Sequence, residues 1–167
     1  MSGIAVKQSR QKQSGDEQDL RCLLLPQKTS TLLLPNTAVA EVTDYFPPET
    51  TDHSPDWLLG LLSWRGQNVP LVSFESFFSG SAEQETPRQI AVLNSLNGNP
   101  EVPFIAVTIS DLPRLALVSP SEIAYVEGGD KEDDAEVILA RMNFSGEFVV
   151  IPNIDFIEDR VIQLGIQ

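Results

Sequence analysis

Cys22 and His53 are each the only residue of their type in this 167-residue chain. One thiol rules out an intrachain disulfide and any CxxC metal or redox pair. One imidazole rules out zinc clusters and leaves a Ser-His-Asp or Cys-His arrangement only if it is built on His53. Cys22 opens the apolar run Cys22-Leu23-Leu24-Leu25, where a thiol packs as a small hydrophobe. His53 lies in the polar stretch 49–56 and reads as a surface-loop residue. Carboxylates are plentiful at 24, so close pairs arise by chance and give acid–base catalysis no specific support. The run Glu127-Gly128-Gly129-Asp130-Lys131-Glu132-Asp133-Asp134 lacks the alternating ligands, central glycine and terminal glutamate of a calcium loop. It reads as a solvated acidic loop. Asn143-Phe144-Ser145 matches the glycosylation sequon, and the glycines are too scattered to cradle a phosphate. No catalytic residue, cofactor or metal is therefore expected.

Arg65 is harder to set aside. It is the one base between Lys28 and Arg88, placed before Gly66 in an acidic chain, and carboxylates are the natural partners of its planar fork. Trp57 and Trp64 stand beside polar turns, where an indole can bury its ring and keep its N–H partnered.

Charge narrows the partners. Lys7, Arg10 and Lys12 give residues 1–15 a charge of +3, and the remaining 8 bases face all 24 acids, giving −16. Such a surface repels phosphate backbones, so nucleic-acid binding by the body is not expected. Residues 1–18 are rich in Gln and Ser without hydrophobic periodicity and are expected to form a disordered tail. Neither a signal-peptide core nor a run approaching the ~20 apolar residues of a membrane span is present. Cytoplasmic residence without membrane insertion is expected.

Many short strands must position these residues. Arg21–Pro26 and Thr31–Pro35 form a hairpin around 27–30. A strand is expected at Val39–Val42, then a loop stiffened by Pro47-Pro48. Ser54-Pro55-Asp56 suggests a helix of a turn or two ending at Gly60. Leu61–Trp64 and Val69–Val72 flank the turn 65–68, with Pro70 expected at an edge or a bulge. A short helix at Phe74–Phe78 and a linker at 79–87 follow. The second half repeats the texture. Strands are expected at Ile90–Leu93, Phe104–Ile109, Leu115–Val118 and Ile123–Val126, then a hairpin from Val137–Met142 and Glu147–Ile151. Asn153 offers a cap for a last helix. This density of strands and turns indicates an all-β barrel or sandwich.

The segment Pro55-Asp56-Trp57-Leu58-Leu59-Gly60-Leu61-Leu62-Ser63-Trp64-Arg65-Gly66-Gln67-Asn68-Val69-Pro70-Leu71-Val72 resembles the signature of CheW-like domains. Leu33-Leu34-Pro35 with Val39-Ala40-Glu41-Val42 resembles an upstream strand of that family, and Gly146–Asp155 its last hairpin and closing helix. In wording the chain is similar to the ChpC-type proteins of type IV pilus chemosensory systems. It departs from the family at Ser63 and Ser73, where asparagine and aspartate are common, and in the strand Phe104–Ile109. The resemblance implies an all-β domain over 19–160 made of two five-stranded SH3-like barrels with short helices. The first barrel would span about 27–80, and the second 19–26 with 88–160. It also implies a non-catalytic coupling protein that binds the regulatory domain of a CheA-type histidine kinase and the cytoplasmic tip of methyl-accepting chemoreceptors. By motif, Val39, Glu41, Gly60 and Arg65 fall at positions for protein contacts, with Glu41 and Arg65 able to pair. From another class, the alternative is a small acidic β-barrel enzyme or ligand-binding protein, which a deep pocket with convergent polar groups would favour.

Overall fold

The apolar runs do not alternate with polar residues because their strands are covered on both faces. A computed structural model describes residues 19–79, 86–96, 98–126 and 136–165. The expected tail, most of the 79–87 linker and the acidic loop 127–135 lie outside the described residues. The chain runs β1 (Leu20–Pro26), β2 (Thr31–Pro35), a 3-10 turn, β3 (Val39–Asp44), β4 (Leu58–Trp64), β5 (Gln67–Val72), α1 (Ser76–Ser79), β6 (Gln89–Asn94) and β7 (Phe104–Ile109). It continues through β8 (Arg114–Val118), a second 3-10 turn, β9 (Ile123–Tyr125), β10 (Ile138–Phe144), β11 (Glu147–Pro152) and α2 (Ile154–Gln163).

These strands make two packed sheets, a six-stranded one in the order β8-β1-β2-β11-β10-β9 and a five-stranded one in the order β3-β6-β7-β5-β4. The expected all-β class is therefore present, with β9 as a sixth strand in the larger sheet. Each sheet also has a core of its own. Ile90 and Val92 of β6 join Leu62, Trp64 and Leu71 inside the five-stranded sheet. Cys22, Leu24 and Leu33 join Met142 and Val149 inside the six-stranded one. The intervening residues, among them Leu25, Leu32, Ala91 and Leu93, face a third cluster shared by both sheets. Leu25, Leu32, Val72 and Ile109 in that layer are 0% exposed. At roughly 1.5–3 kcal/mol for each fully buried aliphatic side chain, the shared layer outweighs any surface ion pair in holding the sheets together.

The partition between sheets corrects the expected boundaries. β2 stays with β1 in the six-stranded sheet, while β6 and β7 pair as a ribbon within the five-stranded one. The two halves of the chain share one plan, since each sheet takes an antiparallel ribbon from one half and the following strands from the other. The parallel contacts agree. β5 meets β7 at Leu71↔Ala106, and β11 meets β2 at Val150↔Leu32. A division of the chain near residue 80 would sever both ribbons from their sheets.

Two local expectations also change. No helix forms at 54–59. The Leu58 N–H closes a single turn on the Pro55 carbonyl, after which burial of Leu58 in the shared layer draws the chain into β4. Pro70 sits in an interior strand, where pairing with β7 begins only at Leu71. Its missing N–H thus falls where β5 has no partner on that side. The last helix is present, with Asn153 Oδ1 accepting from the Phe156 N–H at 3.2 Å. Ile154, Ile157 and Val161 of α2, at helical spacing, face the shared layer.

Candidate functional site

Arg65 and Gly66 form a two-residue turn between β4 and β5, with φ of 48° and 74°. Positive φ at both central residues is the type I′ geometry that matches strand twist. Glycine adopts it freely, whereas arginine does so at some cost. The turn carries the Arg65 side chain outward, 63% exposed, while Trp64 just before it points into the sheet's own core. There the indole meets the Phe104 ring edge-on, with centroids 4.8 Å apart.

Glu41 reaches the same place from the opposite edge of the sheet. β3 and β4 are the first and last strands in the sheet order, so contact between them requires the sheet to curl. Three links close it. The Trp64 indole N–H donates to Glu41 Oε2 at 2.8 Å, Arg65 Nη2 donates to Glu41 Oε1 at 3.2 Å, and Glu49 bridges to Leu61. The guanidinium also lies 4.5 Å from the Trp64 ring centroid, within cation–π range. The indole hydrogen bond is the largest single influence holding the Glu41 carboxyl below the usual glutamate range, with the hydrogen bond and the charge of Arg65 adding to it and desolvation opposing it.

The expected pairing of Glu41 with Arg65 is thus present, and the structure adds Trp64 as a third member. Its signal in the sequence was an indole at a strand end, whose N–H needs an acceptor. Val39 and Gly60 have other neighbours. Val39 pairs with Leu93 and packs against the shared layer, one β-bulge before Glu41. Gly60 has φ of 146°, and a Cβ there would stand 2.4 Å from the Glu49 backbone oxygen. Its place is therefore set by the chain crossing it.

The six-stranded sheet is pinned in a matching way with the charges exchanged. Ser145 and Gly146 turn between β10 and β11 with φ of 49° and 88°. Arg114 of edge strand β8 donates to Glu147 of β11 at 2.6 Å. On β8 the side chains of Leu115 and Leu117 are 76% and 56% exposed, with Leu112 just upstream at 54%. Together with Arg21 and Asn36, Leu115 and Leu117 border a shallow cleft.

The remaining candidates for chemistry are engaged structurally. Burial pushes the Cys22 thiol up, and His53 is an exposed loop residue with φ of 61°. Glu75, the buried carboxylate nearest to a pocket, anchors the β1–β2 turn by accepting from the Thr29 N–H at 2.6 Å and hydroxyl at 2.8 Å. Among the described residues no cluster of three His, Cys, Asp or Glu could hold a metal ion. No helix among them is long and apolar enough to cross a membrane.

A family model described as CheW-like domain matches residues 21–160. Among solved structures, the scaffolding protein TtCheW from Thermoanaerobacter tengcongensis superposes with a TM-score of 0.65 at 12% identity, covering 80% of this chain and 88% of that one. At that identity the likeness is one of fold. No curated relative matches the chain in sequence.

Proposed function

The chain belongs to the CheW-like domain family, non-catalytic scaffolds that couple a CheA kinase with chemoreceptors, and we propose that it serves as such a coupler in the cytoplasm, in a type IV pilus chemosensory system of the ChpC type. Its kinase partner would be the regulatory domain of a CheA-type histidine kinase, and its receptor partner the cytoplasmic tip of a methyl-accepting chemoreceptor.

The observation that carries this reading is the Trp64–Glu41–Arg65 cluster. A buried aromatic holds two opposite charges at a rigid, exposed turn, and aromatic and arginine anchors of this kind dominate protein interfaces. Val39 and Gly60 would support the same surface from β3 and β4. For the receptor, the exposed leucines of β8 offer an apolar strip to the apolar face of a helical hairpin.

Affinity capture from the protein's own cells tests the coupling role. Retention of a CheA-type kinase and a chemoreceptor supports it, and their absence from a folded bait contradicts it. The pilus assignment is tested separately by deletion. Loss of twitching supports it, whereas intact twitching with impaired swimming overturns it.

A further inference from the structure

We infer that the partner surface meeting this cluster presents a carboxylate to Arg65, so that Glu41 acts as an internal brace and not as a second contact. The inference rests on the reading of the cluster as the kinase-binding surface and adds the chemistry of what lands there.

Hydrogen-bond accounting separates the two charges. Of the roughly four acceptor sites of the Glu41 carboxylate, two are used within the chain, Oε2 by the Trp64 indole and Oε1 by the Arg65 guanidinium. Arginine offers five N–H donors in a planar fork, and among the described residues Arg65 spends one of them, in a single contact at 3.2 Å. Stacking on Trp64 occupies the face of the guanidinium and leaves its edge open. Exposure agrees, at 63% for Arg65 against 39% for Glu41. A free guanidinium edge is suited to bidentate binding of a carboxylate.

The surroundings favour such an approach. From residue 57 to residue 74 Arg65 is the only charged side chain. Ser63, Gly66, Gln67 and Asn68 beside it are exposed and uncharged. The hairpin itself adds no like charge, and of the acids beside it Glu41 already accepts from Trp64 and Arg65 while Glu101 borders the far side of Gln67 and Asn68.

Calorimetry of the full chain against the regulatory domain of its cognate CheA-type kinase tests the assignment. Arg65→Gln is expected to weaken binding at least tenfold, and Arg65→Lys at least threefold because ammonium lacks the fork. Glu41→Gln keeps an acceptor for Trp64 but loosens the brace on Arg65, so it should weaken binding by less than Arg65→Gln does. Changing the kinase domain's surface carboxylates to amides one at a time should uncover one whose loss abolishes the effect of Arg65→Gln in a double-mutant cycle. Weakening by Glu41→Gln equal to that by Arg65→Gln would overturn the inference while leaving the surface assignment standing. The absence of any coupled carboxylate would do the same. Wild-type affinity in all three variants would overturn the surface assignment itself.

Discussion

Trp64 on β4 donates its indole N–H to Glu41 on β3 at 2.8 Å, joining the two strands that lie farthest apart in the sheet order. That hydrogen bond is one of three links that close the curled five-stranded sheet, and it orients the carboxylate that pairs with Arg65. Because the Trp64 hydrogen bond is the largest single cause of the lowered pKa of Glu41, Trp64→Phe should raise that pKa toward the ordinary range while the ring still packs on Phe104. A carboxylate with a depressed folded pKa adds stability above its unfolded pKa and loses it as pH falls through the folded one. Acid unfolding of the variant should accordingly depend less on Glu41. Carbon-detected NMR titration of the Glu41 carboxyl checks this, and an unchanged midpoint would contradict the geometry.

Gly60 separates a structural role from an interface role. A Cβ at φ of 146° would meet the Glu49 carbonyl at 2.4 Å, and that backbone is itself bridged to Leu61. Gly60→Ala should cost about 2–3 kcal/mol, lowering Tm by roughly 5–10 °C in a chain of this size. An unchanged Tm with weakened kinase binding would mean that Gly60 acts at the interface alone.

The fold class was legible because short apolar runs and frequent turn residues leave little room for anything but short strands. The assignment of ribbons to sheets was not. β1–β2 and β6–β7 are equally apolar on both faces, so nothing in their pattern marks which neighbour covers them. The false helix at 54–59 had the same origin, since Ser54-Pro55-Asp56 caps a turn as readily as a helix and burial of Leu58 decides the outcome. Within the site, Arg65 stood out by its isolation among uncharged residues, and its pairing with Glu41 followed from the family resemblance. The need of the Trp64 indole for an acceptor was legible, but the acceptor itself was not, since it lies 23 residues away on a strand that only sheet closure brings near.

Glu158 should make the protein less stable as pH rises. It is 2% exposed on α2, and its Oε1 has no hydrogen-bond partner among the described residues. Burial pushes its carboxyl above the usual range, with Asp155 and Asp159 adding to the shift and hydrogen bonds from Ser95 and Leu96 opposing it. With the folded pKa raised, the unfolded chain releases its proton first. Stability therefore falls between the ordinary glutamate pKa and the raised one. Glu158→Gln should flatten that decline and raise Tm at pH 7. Overlapping Tm–pH curves for the two proteins would refute it.

Residues 1–18 should be dispensable for partner binding, since they lack an apolar period and carry +3 over their first fifteen residues. A chain beginning at Asp19 is expected to bind the kinase with unchanged affinity. A tenfold loss on truncation would show that the tail takes part.

The coupling assignment itself turns on Arg65→Glu. An ion pair this exposed adds little to folding, and glutamate at the turn is no more strained at φ of 48° than arginine. Tm should therefore stay within a few degrees of wild type. An interfacial arginine, by contrast, can act as a hot spot, and the substitution would also set a new negative charge beside Glu41. Titrating the variant into the regulatory domain of the cognate CheA-type kinase by calorimetry should show at least a tenfold loss of affinity. Wild-type affinity in a folded Arg65→Glu protein would contradict the account and place the kinase surface elsewhere.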